Sequence, residues 1–182
     1  MIQTILLCGE RKEKSIGLAL ISALSNYGEV KYFNGEKIEF YPGKPELCFL
    51  LYEWKNVPEI CVEKGILLFK NSFQFREHKK IPAEFMTVFE SHNMGAIEFL
   101  KGTGATAVAC GTSSRDTLSI ASIDYQSATV SLQRTIKNLK GEVVEPHDIS
   151  IKLRSAMSPY PLLACCSALL LSGIPSEKGY YF

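Results

Sequence analysis

The sequence predicts an α/β fold: a mostly parallel sheet flanked by helices, with a small three-stranded antiparallel appendage. Three observations carry this. Short apolar runs recur from the N-terminus to residue 110, the pattern of strands buried on both faces. After Gly111 the apolar residues alternate with polar ones, as in half-exposed antiparallel strands. A small-residue and Leu-rich stretch from Tyr160 then ends at Gly173 and Pro175, which stop a helix.

The elements follow in order. Ile2–Cys8 is an apolar strand ending at Gly9. A charged loop, Glu10–Lys14, precedes a helix over Ile16–Tyr27, with Ser15 as its expected N-cap and Gly28 as its stop. Ile16, Leu20, Ala23 and Leu24 form one face, which Leu18 and Ile21 widen, so burial on more than one side is expected. Glu29–Phe33 and Lys37–Phe40 flank Asn34-Gly35, a strong hairpin signal. Strands follow at Leu47–Tyr52, Gly65–Phe69, Phe85–Phe89 and Thr106–Cys110. A short helix is expected at Pro58–Glu63, a polar surface loop at Asn71–Pro82, and a helix at Asn93–Lys101. Strands over Asp116–Ile123, Ala128–Ile136 and Val143–Leu153 come next, with a turn at Lys140-Gly141. The last helix spans Pro161–Ser172. This divides one domain into an α/β body (1–112), an antiparallel part (113–155), and a closing helix with its tail (156–182).

Composition narrows the function. The net charge is +1, and no basic run with interleaved aromatics occurs, so neither nucleic acid nor an anionic membrane is an expected partner. The longest apolar run, Leu162–Leu171, is too short to span a bilayer. Ile2–Leu7 lacks a basic n-region and a cleavage site, so it reads as a strand rather than a signal peptide. The cysteines (Cys8, Cys48, Cys61, Cys110, Cys165, Cys166) form no CxxC pair, which fits reduced core residues of a cytoplasmic protein. Cys8, beside the first turn, is the candidate reactive thiol.

The strand Val108-Ala-Cys-Gly111, the turn Glu90-Ser-His-Asn93 before a helix, three antiparallel strands and a helix closed by Gly173-Ile174-Pro175 occur in one order. That order resembles the central ATPase domain of the Mur ligase family, which includes the folylpolyglutamate synthases. The resemblance implies a P-loop-type sheet and a phosphate site after the first strand. Gly9, Lys14 and Ser15 are its counterparts here, with Lys14-Ser15 at a helix start where anions are favoured. It also implies Glu53 as a magnesium ligand, Asn71 as the Asn after the corresponding family strand, and His78 as support for the acceptor site. Lys79 and Lys80, next to His78, sit on no helix that would make either the counterpart of the family's carboxylated lysine.

The departures point the other way. The family's loop reads Gly-Thr-x-Gly-Lys-Thr/Ser, whereas this chain reads Gly9-Glu-Arg-Lys-Glu-Lys-Ser15. Glu13 stands where a bare glycine amide would meet phosphate, and Glu10 adds to the repulsion. The family's His-Asn-x-x-Asn before the last helix is replaced by Met157-Ser158-Pro159-Tyr160-Pro161, which offers different hydrogen bonds. A complete ligase also carries a substrate domain and a closing domain, for which 182 residues leave no room, so a stand-alone domain is expected.

Two further sites are candidates. Gly111, Thr112 and Ser113, followed by Ser114-Arg115-Asp116, lie just past a strand end, where open α/β sheets form clefts. Glu145-Pro146-His147-Asp148 groups titratable residues, but neighbours on a strand face opposite ways, and Pro146 reads as a bend. Arg134 is a possible anion contact that also suits a sheet cover. Three functional readings stay open. The first is a binding or regulatory protein without intact ligase chemistry, recognising a nucleotide or a cell-wall precursor-like anion. The second is an ATP- and Mg-dependent ligase component acting with a partner chain. The third is a small-molecule enzyme of unrelated chemistry at the Gly111–Asp116 turn.

Overall fold

A computed structural model describes the whole chain, Met1–Phe182. Its strands are β1 (Ile2–Cys8), β2 (Glu29–Phe33), β3 (Ile38–Tyr41), β4 (Cys48–Trp54), β5 (Lys64–Phe69), β6 (Glu84–Glu90), β7 (Thr106–Gly111), β8 (Leu118–Ile123), β9 (Ser127–Leu132), β10 (Ile136–Lys137), β11 (Val143–Val144), β12 (His147–Lys152) and β13 (Tyr180–Tyr181). The helices are α1 (Ser15–Ser25), α2 (Met94–Leu100) and α3 (Pro159–Leu171). Eleven strands form one sheet in the order β13-β12-β9-β8-β7-β6-β5-β1-β4-β2-β3, and β10 and β11 pair separately.

The α/β expectation holds: β2, β4, β1, β5, β6, β7 and β8 run parallel. β8, β9 and β12 are the expected antiparallel strands. They continue the main sheet, because Cys110 and Gly111 of β7 pair with Leu118 and Ser119 of β8. The third expected strand is broken at Glu145-Pro146 into β11 and β12. β13, which pairs parallel with β12 at the sheet edge, was not signalled by its two residues.

Alternation along β1 sorts the core. Ile5 and Leu7 face α1 and α3, while Leu6 and Cys8 face the opposite side. Twelve residues of α3, Tyr160 to Leu171, are buried. The sheet covers one flank, α1 another, and the segment carrying Ile136 and Leu139 packs on it too, with the Leu139 amide bonded to the Leu171 carbonyl at 2.8 Å. A helix enclosed in this way has no use for a polar face. No helix is long and apolar enough to cross a membrane.

The opposite face is covered differently. Residues 58–63 contain no helix, contrary to expectation, and the crossover from β5 to β6 is also irregular. The helix-poor face is filled instead by side chains from the connecting loops, Val57, Phe73 and Ile81, together with Ala96 and Phe99 of α2. Phe73 lies edge-on to Phe69 at 4.7 Å and to Phe99 at 6.0 Å, a favoured aromatic arrangement. The polar composition of Asn71–Pro82 concealed Phe73 and Ile81 as core anchors. Phe73→Ala is therefore expected to cost about 3–5 kcal/mol, as for a core aromatic; urea unfolding measures it, and a loss near that of an exposed loop residue would refute the packing role.

Candidate functional site

The parallel strands deliver their carboxyl ends to one edge of the sheet, where clefts form in open α/β folds. Gly9 is pinned between two of them: its amide bonds Trp54 O at 2.9 Å, and the Lys70 amide bonds Cys8 O at 2.8 Å. Glu53 lies within β4, one residue before its end, and Lys70 follows β5 directly.

Lys70 organises the edge. Its side chain is completely buried, and its ammonium lies 2.6 Å from Glu53 Oε1. It also donates to the carbonyls of Glu10 (3.1 Å) and Glu13 (2.6 Å). An ammonium has three protons, and all three have acceptors. The other Glu53 oxygen accepts the Tyr32 hydroxyl. Burial first, and the adjacent Glu53 second, push the Tyr32 phenol up.

Two glycines make this arrangement possible. Gly9 has φ +150°, and a Cβ there would lie 2.5 Å from Lys70 Cβ, so the lysine stem occupies the space a side chain would need. At Gly17, on the first turn of α1, a Cβ would lie 3.3 Å from Glu53 Oε2, so its absence lets α1 rest on the carboxylate.

The acidic loop is also tied from outside. The Glu13 carboxylate accepts the Ser72 amide at 2.9 Å, and the Glu10 amide donates to Ser72 Oγ at 2.9 Å. Lys55 pairs with Glu10 at 2.9 Å, and this hydrogen-bonded partner holds the Glu10 carboxyl below its ordinary range. Lys70 O accepts from Asn93 Nδ2 at 2.8 Å, while Asn93 Oδ1 caps α2 at the Ala96 amide (3.0 Å). Tyr160, from the first turn of α3, donates its hydroxyl to Phe69 O. Glu10, Glu13, Glu53 and Tyr160 are thus all joined to the segment 69–72.

The expected site residues do not form one site. Lys14 and Ser15 are exposed. Lys14, not Ser15, is the N-cap of α1; it has helical backbone angles, no side chain caps the helix, and Ser15 is the first helical residue. Asn71 is exposed. His78 lies against Phe75 with ring centroids 4.8 Å apart, and its Nδ1 is 3.2 Å from Phe99 O, on the loop-covered face. Gly111 is buried beside Ser91 and Asp116, while Thr112 and Ser113 are exposed in a turn held by Asp116, which accepts the Ser113 amide at 3.0 Å. His147 braces the tail, with Nε2 2.8 Å from Ser176 Oγ. No group of three or more His, Cys, Asp and Glu side chains converges on a point where a metal ion could bind. Cys8 is buried, its thiol pushed up by burial, and Cys110 is likewise pushed up to about 12.

Beside the closed loop lies a cleft of about 450 Å³ between residues 11–14, α1 and the β2–β3 hairpin. Arg11 reaches across it to Glu36 at 2.5 Å. Lys37 pairs with Glu39 at 2.8 Å. Tyr32 and Glu53 lie at its base, and Leu18 and Ile21 line one wall. Leu18 was expected to widen the buried face of α1, but it is 62% exposed at this rim.

This arrangement of parallel strands and loop-lined carboxyl edge defines an α/β protein built on an open, mostly parallel sheet. Among solved structures, the chain resembles a murein peptide ligase, Mpl, from Psychrobacter arcticus 273-4, with a TM-score of 0.50 at 9% identity over 96% of this chain and 47% of that one. The MurF ligase from Thermotoga maritima, solved with ADP, matches with a TM-score of 0.48 at 10% identity, over 93% of this chain and 44% of that one. A UDP-N-acetylmuramoyl-L-alanyl-D-glutamate–2,6-diaminopimelate ligase matches at 0.46 and 10% identity, over 94% and 43%. The fold is therefore Mur-ligase-like, and the chain spans about half the length of these ligases. No protein-family model matches it, and no curated protein matches it in sequence.

Sequence reading missed Lys70 and Tyr32. The only available signal was a lysine placed directly after the apolar run Ile66–Phe69, one residue before the Asn71 that was singled out. Lys70→Met is expected to cost about 3–5 kcal/mol, because it strands a buried carboxylate, whereas Lys70→Met with Glu53→Leu should cost less than the single change. Chemical denaturation of the set measures this, and additive losses would show that the two groups do not interact. Thiol labelling of the native protein should show Cys61 as the fastest site, with the half-buried Cys48 slower and Cys8, Cys110, Cys165 and Cys166 protected by burial; a fastest phase that survives Cys61→Ser would contradict it.

Proposed function

We propose that this chain is a diverged Mur-ligase-like domain without ligase chemistry, acting as a binding or regulatory protein for a small anion such as a nucleotide or a cell-wall precursor-like molecule. One observation carries the reading: the centre of the loop after β1 holds the Lys70 ammonium, and the loop turns the carbonyls of Glu10 and Glu13 inward to it. A phosphate cradle needs the reverse polarity, with free amides pointing in. The amides of Gly9, Glu10 and Glu13 are bonded to Trp54 O, Ser72 Oγ and Glu10 O. The Lys70 protons are all engaged, so they offer nothing to an incoming phosphate.

Magnesium fits no better. Glu53 is the carboxylate nearest the loop centre, and its two oxygens already face Lys70 and Tyr32. The residues present therefore do not fit a magnesium–triphosphate group at this loop. An active ligase component would need a partner chain able to expel Lys70 from its acceptors.

Thermal unfolding with and without millimolar Mg-ATP tests the reading. A ligand bound only by the native state raises the midpoint in proportion to ln(1 + [L]/Kd). The expected result is no magnesium-dependent rise and no ATP hydrolysis. A magnesium-dependent rise would overturn the reading, and hydrolysis appearing only with a co-purifying partner would return the chain to the ligase reading.

A further inference from the structure

The charges around the cleft between residues 11–14, α1 and the β2–β3 hairpin do not cancel. Each carboxylate lining it already has a cation: Glu36 has Arg11 at 2.5 Å, Glu39 has Lys37 at 2.8 Å, and Glu53 has Lys70 at 2.6 Å. Lys12 and Lys14 also line the cleft, and neither has an ion-pair partner. Two compact ammonium groups on one rim favour a ligand with two negative charges, and long flexible stems let both reach the same head group.

The rest of the cleft describes the body of that ligand. Leu18 and Ile21 form an apolar wall, with Tyr41 also in the lining. Leu18 is 62% exposed, the one large apolar side chain that α1 turns outward. The base is of another kind: the Tyr32 hydroxyl proton is given to Glu53, so that end presents acceptors. An anionic head group is therefore excluded from the base and belongs at the lysine rim. The volume, about 450 Å³, is within the range of small-molecule sites.

Resting on the small-anion reading above, we propose that this cleft binds a small organic dianion, a phosphate monoester or a dicarboxylate. Lys12 and Lys14 hold the head group, and the apolar body lies along Leu18 and Ile21. The site is next to the closed loop and does not require it to open.

Amide NMR titration at constant ionic strength and pH 8 tests this with three probes: phenyl phosphate, benzylmalonate and inorganic phosphate. Phenyl phosphate or benzylmalonate should shift the amides of Lys12 to Ile21 and of Tyr32, and the one that binds more tightly identifies the head group. Inorganic phosphate, which lacks a body, should bind about tenfold more weakly. Lys12→Ala with Lys14→Ala should weaken the preferred probe by about tenfold or more, whereas Lys44→Ala, outside the cleft, should not. Both lysines are exposed, so the variant keeps its fold; its unchanged amide spectrum checks this. Shifts confined to the Ser91–Asp116 edge, an unchanged affinity in the double variant, or no response to any probe would overturn the proposal. These titrations contain neither magnesium nor ATP, so such a failure leaves the closed loop standing. Conversely, Mg-ATP capture marked by the amides of Gly9, Glu10 and Ser72, outside that set, would refute the closed loop without bearing on the cleft.

Discussion

The ion pair of Lys70 with Glu53 is the constraint on which the carboxyl edge of the sheet depends. Removing both charges from water is costly, and such a pair is tolerable only when its remaining protons and lone pairs find partners. Here the ammonium takes two loop carbonyls and the carboxylate takes a tyrosine hydroxyl. The acceptors belong to the loop between β1 and α1, so satisfying the lysine fixes the path of residues 9–13. The entry of α1 follows from this, because Gly17 rests against the same carboxylate. One buried cation thus relates three strands, a loop and a helix.

The same pair explains the acidic loop. Glutamates at positions 10 and 13 look unsuited to a turn next to a phosphate site, and in this molecule they have other work. Glu13 receives the Ser72 amide, Glu10 receives Lys55, and their carbonyls receive Lys70. An architecture resembling that of a murein peptide ligase is compatible with this because the sheet depends on apolar alternation, whereas the loop chemistry depends on a few side chains. The two can change independently, and at 9% identity to a ligase of the same fold little beyond the apolar pattern is held in common.

Much of the fold was legible in the sequence. The parallel strands announced themselves as apolar runs, the β2–β3 hairpin by Asn34-Gly35, and α3 by its Leu-rich composition and its Gly173 stop. The loop-covered face was not legible, since Phe73 and Ile81 sit in a polar stretch with no period to reveal which side is buried. The candidate site was legible only in part. Residues near the loop could be named from their order, but the polarity of a loop depends on which way its carbonyls turn, and that is decided by Lys70, 57 residues beyond Glu13. Lys70 has no acidic neighbour in sequence to mark it as half of a pair. Leu18 was misread because helical periodicity shows which residues share a face, not whether a neighbouring hairpin stands off far enough to leave a gap.

The burial of α3 bears on how the chain reaches this state. This helix covers the apolar face of strands that precede it by many residues, and Tyr160 must reach back 91 positions to bond Phe69. During synthesis the side chains of β5, β6 and β7 therefore emerge long before their cover. Long-range closure of this sort is slow and leaves apolar surface open to other chains. Until α3 docks, the strands it covers present an open apolar face, and docking of that one helix closes it.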